Sequence, residues 1–140
     1  MSTTPRTRLK FDRIEERSAR GEHWTEATLT FDGRTIVGAS PHAGELEPRT
    51  AVRRSALATL DAVVKFVDGQ FTCELHDADH VQALGKDLVV LLITIHFEGR
   101  AIQLFGSCRA GDDLEVASAR AALNATNRYI EIVLQKRSDG

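Results

Sequence analysis

Two stretches of the chain carry the hydrophobic and polar pattern of β-hairpins. The segments "EATLTF" at 26–31 and "LLITIHF" at 91–97 are rich in β-branched residues and lead into "DGR" and "EGR". A glycine beside a residue that tolerates positive φ is typical of a two-residue hairpin turn. The return strands are "TIVGAS" and "AIQLFGS", and the segments "RLKFDRIEE" and "FTCELHDA" are predicted as first strands. Each half of the chain therefore begins with three predicted strands.

One helix is predicted after each hairpin, because apolar residues recur there at intervals of three and four. The apolar face of the first helix consists of Ala56, Leu57, Leu60, Val63, Val64 and Val67. Facing away from it, the pattern places Arg53, Arg54, Asp61 and Lys65. Pro48 suits the first turn of this helix. In the second helix, Asp112 and Glu115 resemble a capping box, and the apolar stripe runs through Leu123, Ile130, Val133 and Leu134.

The chain repeats itself at an offset of 66 residues. "TFDGRTI" at 30–36 recurs as "HFEGRAI" at 96–102, and "AVRRSALATL" from residue 51 aligns with "ASARAALNAT" from residue 117. Gly38 matches Gly106 only if two residues are added between the blocks, which places a length change in a loop. The sequence therefore predicts two β-β-β-α units, at about 8–68 and 71–135. Together they predict a single α+β domain over 1–140, with helices packed on antiparallel sheet around one core.

The run "LVVLLITI" at 88–95 is apolar at successive positions, whereas its counterpart in the first unit alternates. A strand that is apolar on both faces is covered on both faces. The helices are expected to cover one face, and a second copy of the protein is one candidate for the other. The alternative is a central strand buried within one chain.

Composition narrows the classes of function. The formal net charge is -2 over 140 residues, which gives no general attraction to nucleic acid or acidic membranes. The only arginine cluster, at 49–54, lacks interleaved aromatic residues, so nucleic-acid binding is not expected. Neither a signal peptide nor a membrane span is predicted, and two cysteines form no disulfide framework, so we expect a cytoplasmic protein that needs no cofactor.

The second half resembles a known family. "ELHDADHVQALGKD", "FEGRAIQLFGS" and "DLEVASARAALNATNRYI" are similar to the C-terminal regulatory domain of 2-isopropylmalate synthase. The match in the closing helix covers Asp113, Ala117, Ser118, Leu123, Asn124, Ala125, Asn127 and Arg128. The resemblance implies a duplicated βββα module that dimerises and binds leucine as a feedback inhibitor. Two features depart from the family: the first unit reads "GASPHAGELEPRTAV" in place of a Gly-Asn-Gly-Pro loop, and these 140 residues are too few to contain the catalytic barrel, so we expect no condensation chemistry from them.

The loops that lead into the helices are the predicted ligand site. Helix N-termini present free N–H groups and partial positive charge, so loops 38–48 and 106–112 are expected to hold an amino acid or a small organic acid. An anionic group is expected at the first loop, and an ammonium group at the second, where acidic residues crowd. The alternative is an ordinary capped helix start. The predicted site consists of Gly38, Ser40, His42, Gly44, Gly106 and Asp113, with Asp77 or His80 from the neighbouring strand end.

The other candidate residues are predicted to have structural roles and not metal-binding or catalytic ones. Cys73, His76 and His80 lie within eight residues, but strand alternation separates Cys73 from His76, so no metal site is predicted. Cys108 has no sequence reason to pair with a histidine, and we find no catalytic constellation. The amides of Asn124 and Asn127, with Arg128, are expected to hold nearby loop or strand backbone; contact with a ligand or a neighbouring chain is the alternative.

Together these features predict a non-catalytic, homodimeric module that senses a small molecule and acts on a partner enzyme in trans. The alternative is a structural dimerisation or protein-interaction module that has lost its effector site.

Overall fold

A computed structural model describes residues 8–44 and 46–139. The predicted domain bounds of 1–140 and the predicted loop 38–48 also contain residues 1–7, 45 and 140, which lie outside this description. Two β-β-β-α units follow one another, which confirms the predicted α+β duplication. Their elements are β1 (Lys10–Ala19), β2 (Glu22–Phe31), β3 (Arg34–His42), α1 (Pro48–Phe66), β4 (Phe71–Ala83), β5 (Lys86–Phe97), β6 (Arg100–Arg109) and α2 (Leu114–Asp139).

Each unit forms one antiparallel sheet of three strands, in the order β1-β2-β3 and β4-β5-β6. The predicted turns at Asp32-Gly33 and Glu98-Gly99 have positive φ at both positions, as a two-residue hairpin requires. Arg20-Gly21 and Leu84-Gly85 form further turns of this kind, and the sequence pattern did not identify them.

The offset of 66 holds from the turns to the helix starts. Phe31 pairs with Arg34, and Phe97 pairs with Arg100, and the helices begin at residues 48 and 114. The predicted length change in the loop is therefore wrong. In this register the counterpart of Gly106 is Ser40, because their partners Leu91 and Thr25 are also 66 residues apart.

The two units share one hydrophobic core, to which both sheets and both helices contribute buried side chains. The helices contact each other through two reciprocal hydrogen bonds near their N-termini. Ser55 Oγ donates to the carbonyl of Glu115, and Ser118 Oγ donates to the carbonyl of Val52, each at 2.5 Å. Because α1 packs against its own sheet, α2 and β4, its buried surface extends beyond the predicted apolar stripe.

Strand β5 is apolar on both faces, as its sequence indicates. Its buried positions are Val89, Leu91, Ile93 and Ile95, whereas Leu88, Val90 and Leu92 are half-buried on the opposite face. On that outer face Leu92 pairs with Phe105, which is 72% exposed. Within the described residues, no helix is both long and apolar enough to cross a membrane.

Candidate ligand-binding site

A group of polar side chains lies between the first sheet and the starts of both helices. We call it the polar cluster, and it consists of Glu16, Thr25, His42, Arg54 and Glu115. Glu16 lies in the second half of β1, and His42 is the last residue of β3. Arg54 comes from the second turn of α1, and Glu115 from the first turn of α2. Thr25 is fully buried and Arg54 is only 7% exposed, so much of the cluster is shielded from water.

Glu16 is the acceptor at the centre of the polar cluster. Thr25 Oγ1 lies 2.8 and 2.9 Å from the two carboxylate oxygens of Glu16. The backbone N–H of Gly44 donates to His42 Nδ1 at 3.0 Å, so the ring proton of His42 is on Nε2. His42 Nε2 then donates to Glu16 Oε2 at 2.9 Å. Two side chains therefore hold the Glu16 carboxylate in one orientation.

Arg54 joins the two units electrostatically. Its Nη1 donates to the carbonyl of Glu47 at 3.2 Å and to Thr50 Oγ1. Its Nε lies 3.6 Å from Glu16 Oε1, and its Nη2 lies 3.6 Å from Glu115 Oε1. Both distances suit ion pairs but exceed hydrogen-bonding distance. Among the described residues, the buried Arg54 Nε has no hydrogen-bond partner.

The carboxyl of Glu115 is held where its charged form is disfavoured. Burial raises its pKa most, the neighbouring Glu16 and Asp113 raise it further, and Arg54 opposes them. The polar cluster therefore contains a pair of carboxyl groups that share a single guanidinium.

The second unit does not repeat this chemistry. The counterparts of Glu16, Thr25, Ser40 and His42 in strand register are Ala78, Leu91, Gly106 and Cys108. Arg120, the counterpart of Arg54, is exposed and lies over the ring of Phe11 at 5.9 Å from its centroid. Because one unit folds with apolar and small residues at these positions, the fold itself does not require the polar cluster.

The two helix starts also differ. At the start of α1, Glu47 makes no side-chain capping bond, and the first turn contains no acidic residue. At the start of α2, Asp113 Oδ1 accepts from the N–H groups of Glu115 and Val116 at 3.0 and 3.2 Å. Asp113 is thus the capping residue, and the predicted capping role of Asp112 is wrong. The Asp113 carboxylate occupies the N–H groups that a ligand anion would use.

The predicted loops begin too early. Gly38 and Gly106 lie inside β3 and β6, and the connections to the helices are confined to 43–47 and 110–113. A Cβ atom at Gly38 would lie 2.2 Å from the carbonyl oxygen of Ala58, and one at Gly106 would lie 2.3 Å from that of Ala121. These glycines let each strand approach its helix backbone, so ligand contact at either position is not supported.

Three predicted residues lie at or beside the polar cluster. His42 is part of it, Gly44 donates to His42, and Ser40 is buried opposite Thr25. Gly44 has a φ of +97° and packs against the ring of His23. A surface cleft of about 630 Å³ opens beside His42, and its lining includes Gly21, Glu22, His23, Trp24, Ala39, Pro41, His42 and Ala43. The structure thus places the first predicted loop beside an accessible cleft.

Asp77 and His80 belong to the second sheet and make local contacts. Asp77 is exposed and accepts from the N–H of Ala78, and His80 Nε2 lies 3.7 Å from Asp87 Oδ1. The structure does not bring them to the polar cluster.

The other candidate residues are also placed away from the polar cluster. Asn124 Nδ2 donates to the carbonyl of Ser107 in β6 at 2.8 Å, which is the kind of strand contact expected of it. Asn127 and Arg128 line a separate cleft of about 450 Å³ beside Leu9.

The cysteines and histidines show no metal chemistry. Burial raises the pKa of the Cys73 thiol to about 12, which disfavours the thiolate. Cys108 donates its thiol hydrogen to the carbonyl of its neighbour Arg109 and packs against the core. In the part of the chain that the structure describes, no three His, Cys, Asp or Glu residues are grouped as metal ligands.

Sequence reasoning missed Glu16, Thr25, Arg54 and Glu115 as members of a site. The sequence does contain an indication for Glu16. Ile14 and Glu16 are two residues apart on β1, so both side chains point to the core-facing side of the sheet. Arg54 was predicted to face away from the core and is buried instead. Helical periodicity could not show that α2 and β1 approach α1 from that side.

No sequence profile of a known protein family matches the chain, and no curated protein matches its sequence. Functional inference therefore rests on the geometry of the polar cluster and of the cleft beside it.

Proposed function

We propose that the chain is a non-catalytic small-molecule-sensing module, and that the polar cluster binds an amino acid or a small organic acid. The observation that carries this proposal is that the strand residues of the cluster, Glu16, Thr25 and His42, have no polar counterparts in the second unit. Buried charged groups cost desolvation energy and rarely stabilise a fold more than apolar residues would. The second unit has apolar or small residues at three of these positions, namely Ala78, Leu91 and Cys108, so the cost in the first unit calls for a role other than folding.

The cluster has the parts that recognition of a polar ligand needs. Glu16 is fixed by two donors, Arg54 has an unused buried N–H, and the side chains of Glu16 and Glu115 are each partly exposed to solvent. The uncapped start of α1 adds partial positive charge to the same region. Such preorganised groups bind without a large ordering cost.

A regulatory role fits both the site and the resemblance of the second half to the regulatory domain of 2-isopropylmalate synthase. In this proposal the module changes the activity of a partner enzyme in trans when its ligand binds. The site occupies the junction of the two units, so a ligand there would affect how the units pack.

The test is a thermal-shift screen with the twenty amino acids and the 2-oxo and 2-hydroxy acids that carry the same side chains. A ligand that binds only the folded state raises its stability, by about 2.7 kcal/mol at a hundred times its Kd. We expect at least one compound to raise the melting temperature of the wild type. The shift should disappear in Arg54→Gln and persist in Arg120→Gln, the matched change in the other unit. Because Arg54 is buried, its substitution is expected to lower the melting temperature of the free protein as well. The comparison therefore uses the change in melting temperature that each compound causes in each variant.

Failure of every compound to shift the wild type would overturn the proposal. An equal loss of the shift in both arginine variants would show that the polar cluster is not the site.

The second candidate function is a structural dimerisation module, and the outer face of the second sheet favours it. That face presents Leu88, Val90, Leu92 and Phe105, with Asp77 and Asp79 on β4 and Arg109 on β6. A twofold axis parallel to β5 would place β4 of one copy over β6 of the other. In this arrangement Asp77 and Asp79 would face Phe105 and Ser107 of the other copy, and Arg109 would face Val81. Apolar burial rather than charge therefore favours a second copy.

A further inference from the structure

We infer that the polar cluster recognises the ammonium group of its ligand, which binds between Glu16 and Glu115. This inference rests on the proposed function and deepens it by assigning the chemical class of the group that is bound.

The positions of the two carboxyl groups suit an ammonium ligand. They come from different units, one from β1 and one from α2, and each lies 3.6 Å from the same guanidinium. The side chains of Glu16 and Glu115 are each 24% exposed, so a small cation can reach them from solvent. A primary ammonium has three N–H donors on a compact charge, which suits two convergent carboxylates.

The charges at the site also favour a positively charged ligand group. Among the side chains that the structure describes here, the carboxyl groups of Glu16, Glu115 and Asp113 are accompanied by one guanidinium, that of Arg54. The Asp113 carboxylate is already bonded to the start of α2, which leaves the pair of glutamates with one cation between them. Another positive charge would be attracted to this position.

Arg54 provides a second and independent observation that points to a ligand. Its side chain is more than nine-tenths buried, and its Nε faces Glu16 without a hydrogen-bond partner among the described residues. A buried N–H without an acceptor is unfavourable. A ligand whose ammonium lies between the glutamates and carries an oxygen acceptor on an adjacent carbon would satisfy this N–H. α-Amino acids and amino alcohols have this arrangement.

The decisive comparison is between each amino acid and the 2-hydroxy acid with the same side chain, such as L-valine beside 2-hydroxy-3-methylbutanoate and L-aspartate beside malate. Each pair differs only in ammonium against hydroxyl. We expect thermal shifts with amino acids and not with their hydroxy partners. Glu115→Gln should weaken the binding of the active amino acid by about tenfold or more in a calorimetric titration, because a charged hydrogen bond is lost.

Glu131→Gln is the control, since it makes the same change on the same helix outside the cluster. If 2-hydroxy acids shift the protein as strongly as amino acids do, the ammonium inference is wrong and the ligand-sensing proposal stands. If Glu115→Gln binds the amino acid as tightly as the control, the inference is also wrong. If no compound of either series binds, both the inference and the proposed function fail.

Discussion

Arg54 Nη2 lies 3.6 Å from Glu115 Oε1, and this ion pair joins the helix of one unit to the helix of the other. The two residues are 61 positions apart in the chain, and only the packing of α1 against α2 brings them together. The polar cluster therefore forms where the two units meet, with Glu115 from the second unit and its other members from the first.

Close packing of strand on helix predicts that Gly38→Ala destabilises the protein. A Cβ atom there would lie 2.2 Å from a helix carbonyl oxygen, so strand and helix must separate, at a cost of about 1–3 kcal/mol. Gly111→Ala is the control, because no atom lies within 4 Å of its Cβ position and its φ is not positive. Urea denaturation measures both. Equal stability of the two variants would contradict this account of Gly38.

Glu115 gives the protein a defined pH dependence. Its pKa is raised in the folded state, mainly by burial, so the folded protein holds this proton more tightly than the unfolded chain does. The stability that this proton contributes is present below the unfolded pKa and is lost as pH rises through the folded pKa.

Glu115→Gln removes the titration, so the variant should gain stability relative to the wild type between pH 4 and pH 7. Denaturation of both proteins at the two pH values measures this difference. A difference that is the same at both pH values would show that Glu115 titrates normally.

The outer face of the second sheet predicts a homodimer. Light scattering should give about twice the 15.4 kDa chain mass, and Phe105→Asp should reduce it to the monomer mass by placing a charge in an apolar interface. Val37→Asp is the control, because Val37 is an exposed apolar residue of the first sheet. A wild-type monomer at micromolar concentration would exclude this assembly.

Gly44 links the predicted site to the observed one. Its positive φ and its contact with the ring of His23 leave little room for a side chain, so Gly44→Leu should displace His42 and abolish any ligand-induced thermal shift. The dimer should remain, since the loop lies in the other unit from the proposed interface. Gly69→Leu imposes similar backbone strain, because Gly69 also has positive φ, but with open space around it. A ligand shift that survives in Gly44→Leu would place the site elsewhere.

The sequence predicted the architecture because its signals are local. Asp32-Gly33 and Glu98-Gly99 mark turns by their own backbone preference, and the repeated blocks fix the order of elements. The placement of Pro48 at the start of α1 also followed from local chemistry.

The errors arose where contacts between distant segments decide the outcome. Gly38 was interpreted as a loop residue, yet it is small because the helix backbone is close. Arg54 was assigned to the solvent face of one helix, but the second helix and β1 reach it there. The sequence could not predict that Glu16 and Glu115 lie close together, since no local pattern around either residue indicates the other.

The central claim is that the polar cluster holds a ligand through Arg54. The side-chain Nε–H signals of the arginines, recorded by two-dimensional ¹⁵N NMR with and without the most active compound of the screen, test it most directly. The account predicts that the Arg54 signal moves on addition of the compound, because its unused N–H gains an acceptor, and that the Arg120 signal does not. An Arg54 signal that stays in place while the compound binds would contradict the account.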